Sequence, residues 1–280
     1  MKIWAAIGLC GGLMLASRPV GAQFSPPNRA GVAMGQINLR VRDVEATKSI
    51  FLQLGGSATK RDPDIVRIPG VFIVLRKAEP SGGSEGSSVN HVGFLVKDGA
   101  GMMAKFKAEG LREDLGPGGR GGYVYTADGV KIEIVARPDL RVPVQFDQIH
   151  FYVDGAGLGG GPSWSELQRW YAKFFGAVPT SSKLIPNRPG LPPFAESRVP
   201  GAKLRFSPVD HKTLPTRGRA LDSIGFEVRD LKAFCAKLEA AGIKFTAPYQ
   251  QVPEELIGKA SLTDPWGTDI ELDEFPDKPR

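Results

Sequence analysis

Four short stretches of the chain alternate apolar and polar residues: GQINLRVRD (35–43), NHVGFLVKD (90–98), DQIHFYVD (147–154) and DSIGFEVRD (222–230). In the first, Ile37, Leu39 and Val41 point one way while Gln36, Asn38 and Arg40 point the other. Val92, Phe94 and Val96 oppose His91 and Gly93 in the second. Ile149, Phe151 and Val153 oppose Gln148, His150 and Tyr152 in the third. Ile224, Phe226 and Val228 oppose Ser223, Gly225 and Glu227 in the fourth. A period of two with one apolar face predicts a strand covered on one side.

Each stretch ends on an aspartate suited to a helix N-cap: Asp43, Asp98, Asp154 and Asp230. Helical patterns follow in VEATKSIFLQLGG, GMMAKFKAEGL and LKAFCAKLEAAGI, each with a glycine at or near its end. In the third copy GAGLGGGP delays the helix to near Ser163, where Leu167, Trp170, Tyr171 and Phe174 make an apolar stripe. Closing strands follow in matched pairs, RIPGVFIVLRK (67–77) with RVPGAKLRF (198–206), and DGVKIEIV (128–135) with PWGTDIEL (265–272). Four residues past the glycine, these align Val74, Glu133, Arg205 and Glu271. The chain therefore predicts four βαβββ units in an α+β fold. SGGSEGSS (81–88) and RPDLRVPVQF (137–146) serve as linkers. The Pro-rich PTSSKLIPNRPGLPPF (179–194) is a loop long enough to cover a pocket mouth.

Residues 1–22 stand apart. Lys2 precedes an apolar stretch from Ile3 to Ala16, and Val20-Gly21-Ala22 forms the small-residue pattern of a signal-peptidase site. A membrane anchor needs a run nearer ~20 residues. The expectation is an exported protein, periplasmic or secreted, that starts at Gln23 and has no stable membrane insertion. Losing Lys2 and Arg18 lowers the formal charge from +6 to +4. The basic residues are scattered without interleaved aromatic platforms, so nucleic acid is not an expected partner. Cys235 is then the one cysteine left, with no disulfide to form.

The four βαβββ units, the strand heads, the FLQLGG and FFGA helix ends and TDPWGTDIEL resemble the vicinal oxygen chelate superfamily. That group includes glyoxalase I, extradiol dioxygenases, fosfomycin-resistance enzymes and bleomycin-binding proteins. The resemblance covers about 33–276. It implies that two units pair into a cup, with ligands from the head of each first strand and from the fourth position after each closing glycine. Unit one could pair with unit two or with unit four; taking the units in order gives domain one over 33–139 (units 33–77 and 89–137) and domain two over 146–276 (units 146–208 and 221–276).

On that grouping the resemblance implies a divalent ion, with zinc, nickel, manganese or iron admitted, held by Gln36, His91 and Glu133 in the first cup. Val74 cannot ligate. The second cup offers a poorer set, Gln148 and Glu271, with Ser223 in place of an imidazole. Arg205 beside it, with Lys203 on the same face, would repel a cation and pair with Glu271. His150 lies two residues from Gln148 on one strand face, and His211 falls in a loop. Tyr123, ten residues before Glu133, resembles the acid/base tyrosine of extradiol dioxygenases and is the candidate catalytic group. Asn38, Arg40, Arg76 and Lys131 in the first cup, with His150, Lys203 and Arg205 in the second, would contact substrate. Their charge favours an anionic small molecule. Three functions follow. One is metal-dependent chemistry of lyase, isomerase or ring-cleaving dioxygenase type on an oxygen-bearing substrate. The others are metal-free binding of the bleomycin-resistance type and a ligand-free module. The partner is a small molecule, and the chain a monomer or homodimer.

Overall fold

The computed structural model describes residues 25–154, 163–252 and 257–274. The expected export signal and the whole glycine-rich delay, residues 155–162, lie outside those residues. Each unit has the expected order. Unit one is β1 (Val32–Val41), α1 (Val44–Gln53), β2 (Ser57–Ala58), β3 (Ile65–Ile68) and β4 (Val71–Lys77). Unit two is β5 (Val89–Val96), α2 (Gly99–Ala108), β6 (Arg112–Leu115), β7 (Gly122–Tyr125) and β8 (Lys131–Ala136). Unit three is β9 (Val144–Asp154), α3 (Trp164–Phe175), β10 (Val178–Pro179), β11 (Ala195–Val199) and β12 (Ala202–Val209). Unit four is β13 (Leu221–Val228), α4 (Leu231–Ala240), β14 (Phe245–Val252), β15 (Ile257–Thr263) and β16 (Asp269–Glu274).

Three of the four predicted aspartate caps form. Asp43, Asp98 and Asp230 each accept a backbone N–H three residues on. α3 starts instead from a capping box between Ser163 and Glu166. Asp154 is the last residue of β9 rather than a cap.

The grouping of units differs from the expected one. The strands form two eight-stranded sheets, β14-β15-β16-β13-β1-β4-β3-β2 and β10-β11-β12-β9-β5-β8-β7-β6. Unit one pairs with unit four through antiparallel β1 and β13, and unit two pairs with unit three through antiparallel β5 and β9. Of the two pairings the sequence leaves open, one with four is the one formed, and the domains drawn with the units in order, one with two and three with four, are corrected accordingly. Two backbone bonds related by the repeat join unit one to unit three across the sheets: Met34 N–H donates to Pro200 O, and Phe146 N–H donates to Pro69 O. The segments after units one and three are cross-linked as well, by Leu214 N–H to Gly86 O and Ala220 N–H to Gly82 O. These bonds satisfy backbone groups that would otherwise be orphaned between the sheets.

The apolar faces predicted by alternation are sealed from solvent at Ile37, Leu39, Val41, Val92, Phe94, Ile149, Phe151, Ile224 and Val228. Asn38, His91, Gln148, His150 and Ser223 on the opposite faces are buried too, so the lead strands are covered on both sides rather than on one. Helical aromatics join the sheets into one core. Phe51 of α1 meets Phe94 of the other sheet edge-on at 6.0 Å, and Phe175 of α3 meets Phe226 across the sheets at 4.9 Å. Cys235 is buried and unpaired, and burial pushes its thiol up to about 11. Among the described residues no helix is long and apolar enough to cross a membrane. Packing the apolar faces together leaves the two polar faces outward, each curled into a cup.

Candidate functional site

The cup of units two and three is closed and histidine-bearing. Its antiparallel seam sets His91 opposite His150, while β8 brings Glu133 beside Gly93. Gly93 is required here: a Cβ on it would meet Gln148 Cγ at 2.8 Å. His91 Nδ1 lies 2.8 Å from Asn90 Oδ1, an acceptor, so that nitrogen carries the proton. His91 Nε2 then accepts from His150 Nδ1 at 3.1 Å, and His150 Nε2 accepts from the Ser207 hydroxyl at 2.8 Å. One tautomer assignment satisfies all four groups with both rings neutral. Burial pushes both imidazoles below their ordinary pKa, His150 further with help from His91 and Arg205.

Glu133 receives the Gln148 amide on one oxygen and Arg188 on the other at 3.0 Å. His91 Nε2 is 3.6 Å from the carboxylate, too far for a hydrogen bond, and in the neutral tautomer it has no proton to give. Burial works against the ionised form of Glu133. The Arg205 and Arg188 charges nonetheless hold it below the usual carboxylate range. Arg188 also donates to the Tyr123 hydroxyl at 3.2 Å. Burial, then the Glu133 charge, push the Tyr123 phenol up, and burial pushes Tyr152 up to about 12.

Arg188 comes from the Pro-rich loop. Ile185 and Phe194 exchange backbone hydrogen bonds of 2.6 and 3.0 Å, making a short hairpin, and Leu191 N–H turns its tip back to Arg188 O. The loop thus covers the cup mouth, as its length predicts. The other cations are matched locally: Arg205 with Glu196 at 3.2 Å, Lys131 with Glu85 at 2.9 Å and Lys203 with Asp147 at 2.7 Å.

The cup of units one and four is open and lacks histidine. Glu271 sits at its centre, receiving Arg76 at 3.0 Å, Gln36 at 3.2 Å and the Ser223 hydroxyl at 2.9 Å. Asn38 donates to Ser223 at 2.9 Å. A cavity of about 450 Å³ opens over them, with Arg40 facing Asp222 at 3.5 Å and Arg217 facing Asp269 at 2.6 Å on its walls.

The exchange of units divides the expected metal set. Gln36 belongs to the open cup, and His91 and Glu133 to the closed one, where Gln148 joins them. Glu271 shares the open cup with Gln36 and pairs with Arg76. The expected Arg205–Glu271 pair does not form, because they lie in different sheets and Arg205 meets Glu196 instead. Asn38, Arg40 and Arg76 line the open cup. Tyr123, Lys131, His150 and Arg205 gather in the closed one. His211 is exposed beside Asp210. Arg188, Glu196, Asn90 and Ser207 escape the sequence reading. For Arg188 the available signal was the NRPG turn in a loop already predicted to cover a pocket.

The model of the Glyoxalase/Bleomycin resistance protein/Dioxygenase superfamily matches residues 138–272, units three and four together. The chain carries the vicinal oxygen chelate fold. Its two paired sheets are also those of Zea mays glyoxalase I, at a TM-score of 0.61 and 17% identity over 87% of this chain and 92% of that one. A Bacillus subtilis protein provisionally described as a dioxygenase is similar at a TM-score of 0.59 and 13% identity, over 91% and 86%. At such identities the likeness is one of fold alone. No curated protein sequence matches the chain.

The vicinal oxygen chelate fold implies a metal position in each cup, and the residues here do not fit one as arranged. In the closed cup the His91 lone pair accepts from His150, the Gln148 NH2 donates to Glu133, and a guanidinium holds the other Glu133 oxygen. In the open cup Val74 supplies no donor and Arg76 holds Glu271. Among the described residues, no group of three or more His, Cys, Asp or Glu side chains could hold an ion.

Proposed function

We propose that this chain is a small-molecule-binding protein on the vicinal oxygen chelate fold whose cups take their ligand without a metal. The observation that carries the reading is the fate of the two closing-strand glutamates. Glu133 and Glu271 each accept from an arginine and a glutamine, so a divalent ion would have to displace a guanidinium from its carboxylate. Charge-assisted pairs of this kind are among the stronger hydrogen bonds. The open cavity of about 450 Å³ is of small-ligand size.

Metal content decides the matter. The full chain, reloaded with zinc, nickel, manganese or iron after mild chelation, is expected to hold well under one equivalent. One equivalent lost on His91→Ala would replace this reading with metal-dependent lyase, isomerase or dioxygenase chemistry. We further propose, from the composition of residues 1–22 alone, that the protein is exported. Mass spectrometry of the exported form should give an N-terminus at Gln23, and an intact Met1 in the cell fraction would overturn this.

A further inference from the structure

In the closed cup, the cation nearest the central carboxylate is supplied by the loop rather than by the cup walls. Arg205, Lys131 and Lys203 are matched by Glu196, Glu85 and Asp147. Both imidazoles are neutral by their hydrogen bonding. Arg188 alone arrives from the covering hairpin, and its partner is Glu133. If the hairpin tip lifts, these pairings leave Glu133 as the uncompensated charge of the cup. An anion entering that space would lie beside a carboxylate or have to pull Arg205 from Glu196. A cation would replace what left.

Two further observations agree. The Arg188 guanidinium carbon lies 5.6 Å from the centroid of the Tyr123 ring, so the place it occupies has an aromatic wall as well as a carboxylate. Gln148 Oε1 is buried without a hydrogen-bond partner, while the Gln148 amide is oriented by donating to Glu133. An unfilled buried acceptor calls for a donor. The hairpin is also cheap to move. None of residues 181–194 is fully buried, in contrast to the strands beneath them.

We propose that Arg188 is a built-in occupant of a cation-binding cup, and that its ligand is a small organic cation, an amine or guanidinium, which enters by displacing the 185–194 hairpin. The inference rests on the metal-free binding reading above and gives that site its ligand class. The unpaired Gln148 acceptor and the carboxylate together recognise N–H donors. Glu133 supplies the charge and Tyr123 the face.

Methylguanidine is the probe, titrated by calorimetry into the full chain as wild type, Arg188→Ala and Arg188→Ala/Glu133→Gln. Arg188→Ala should bind one methylguanidine at least ~10-fold more tightly than wild type, since the competing side chain is gone. The double variant should lose that gain. Arg188→Gln, which keeps a long polar side chain, replaces Arg188→Ala should the latter not fold. Agmatine added to wild type should speed proteolysis within 179–194 as the hairpin is displaced. Methylguanidine binding no tighter to either Arg188 variant than to wild type, or equal binding by the double variant, would overturn the proposal. Acetate bound by Arg188→Ala in place of methylguanidine would overturn the cationic class and leave metal-free binding standing. One equivalent of zinc taken up by Arg188→Ala and lost with His91→Ala would overturn both.

Discussion

The two cups are built from the same repeat and hold the same centrepiece, a closing-strand glutamate with a glutamine and an arginine on it. In the closed cup that glutamate is Glu133, about one-tenth exposed, and its arginine arrives from a loop of a different unit. In the open cup it is Glu271, 24% exposed, and its arginine, Arg76, is half exposed on a strand of the sheet itself. The chemistry is shared and the dielectric is not. A carboxylate out of water depends on its partners, while one at a cavity rim can exchange them for solvent. On the binding reading proposed above, ligand selection and stability meet in the closed cup, and the open cup should tolerate change.

The largest expected effect tests that statement directly. Glu133→Gln removes the charge and leaves one acceptor oxygen where the part-buried Arg188 guanidinium and the buried Gln148 amide had one each, and should cost about 3 kcal/mol by thermal or urea unfolding. Glu271→Gln should cost under about 1 kcal/mol because solvent can replace the lost acceptor. Equal costs would erase the distinction between the cups.

The central glycines sharpen it. Gly93 and Gly225 are equivalent positions, each beneath a glutamine: a Cβ would meet Gln148 Cγ at 2.8 Å in one and Gln36 Cγ at 2.3 Å in the other. Contact distance alone ranks Gly225→Ala as worse. Freedom of the neighbour reverses the order. Gln148 is fully buried and held by Glu133, whereas Gln36 is part-exposed beside the cavity and can turn away. Gly93→Ala should cost about 2 kcal/mol and Gly225→Ala under about 1. The opposite ranking would show that backbone crowding governs both sites.

This pair also shows what was legible in the sequence. In units two and four the head of the lead strand, the glycine two residues on (Gly93, Gly225) and the closing glutamate (Glu133, Glu271) follow alternation and spacing, and they fall where those patterns put them. Unit pairing was not legible. Four lead strands with the same apolar face can satisfy any partner, so alternation alone does not distinguish β13 from β5 as the neighbour of β1. Arg188 was hidden for a related reason, since an irregular loop has no period from which to infer direction. Glu196 sits in β11, a strand with no counterpart signal in the other units, so the partner of Arg205 could not be named.

Acid should affect the closed cup first. His91 and His150 have folded pKa values below the ordinary 6.5. Their contribution is therefore intact above about pH 6.5 and is lost as pH falls toward the lowered values. Asp264, outside both cups and hydrogen-bonded by Tyr171, acts with the opposite sign. Burial raises it to about 6, so its contribution is full below the unfolded value and lost as pH rises through 6. The two oppose one another between pH 4 and 6. In an Asp264→Asn background the acid loss should stand alone, and adding His150→Gln should reduce it by about 1 kcal/mol between pH 7 and 5. An unchanged profile would mean that the imidazole chain opens and hydrates before it protonates.

The smallest effect belongs to Arg76, and its smallness is the point. The Arg76–Glu271 contact is 3.0 Å long, as short as Arg188–Glu133, so geometry alone gives the two pairs equal weight. Their surroundings differ: half of the Arg76 side chain is in solvent, against 32% for Arg188, and Glu271 keeps Gln36 and Ser223 as donors when Arg76 leaves. Arg76→Gln should therefore cost no more than about 0.5 kcal/mol in low salt. That cost should vanish in ~0.5 M salt, where the screening length falls to a few ångströms. Denaturant midpoints at two ionic strengths provide the measurement. A salt-insensitive loss above about 1.5 kcal/mol would mean that water does not reach Glu271. The open cup would then share the energetics of the closed one, and a ligand there would also have to replace an arginine.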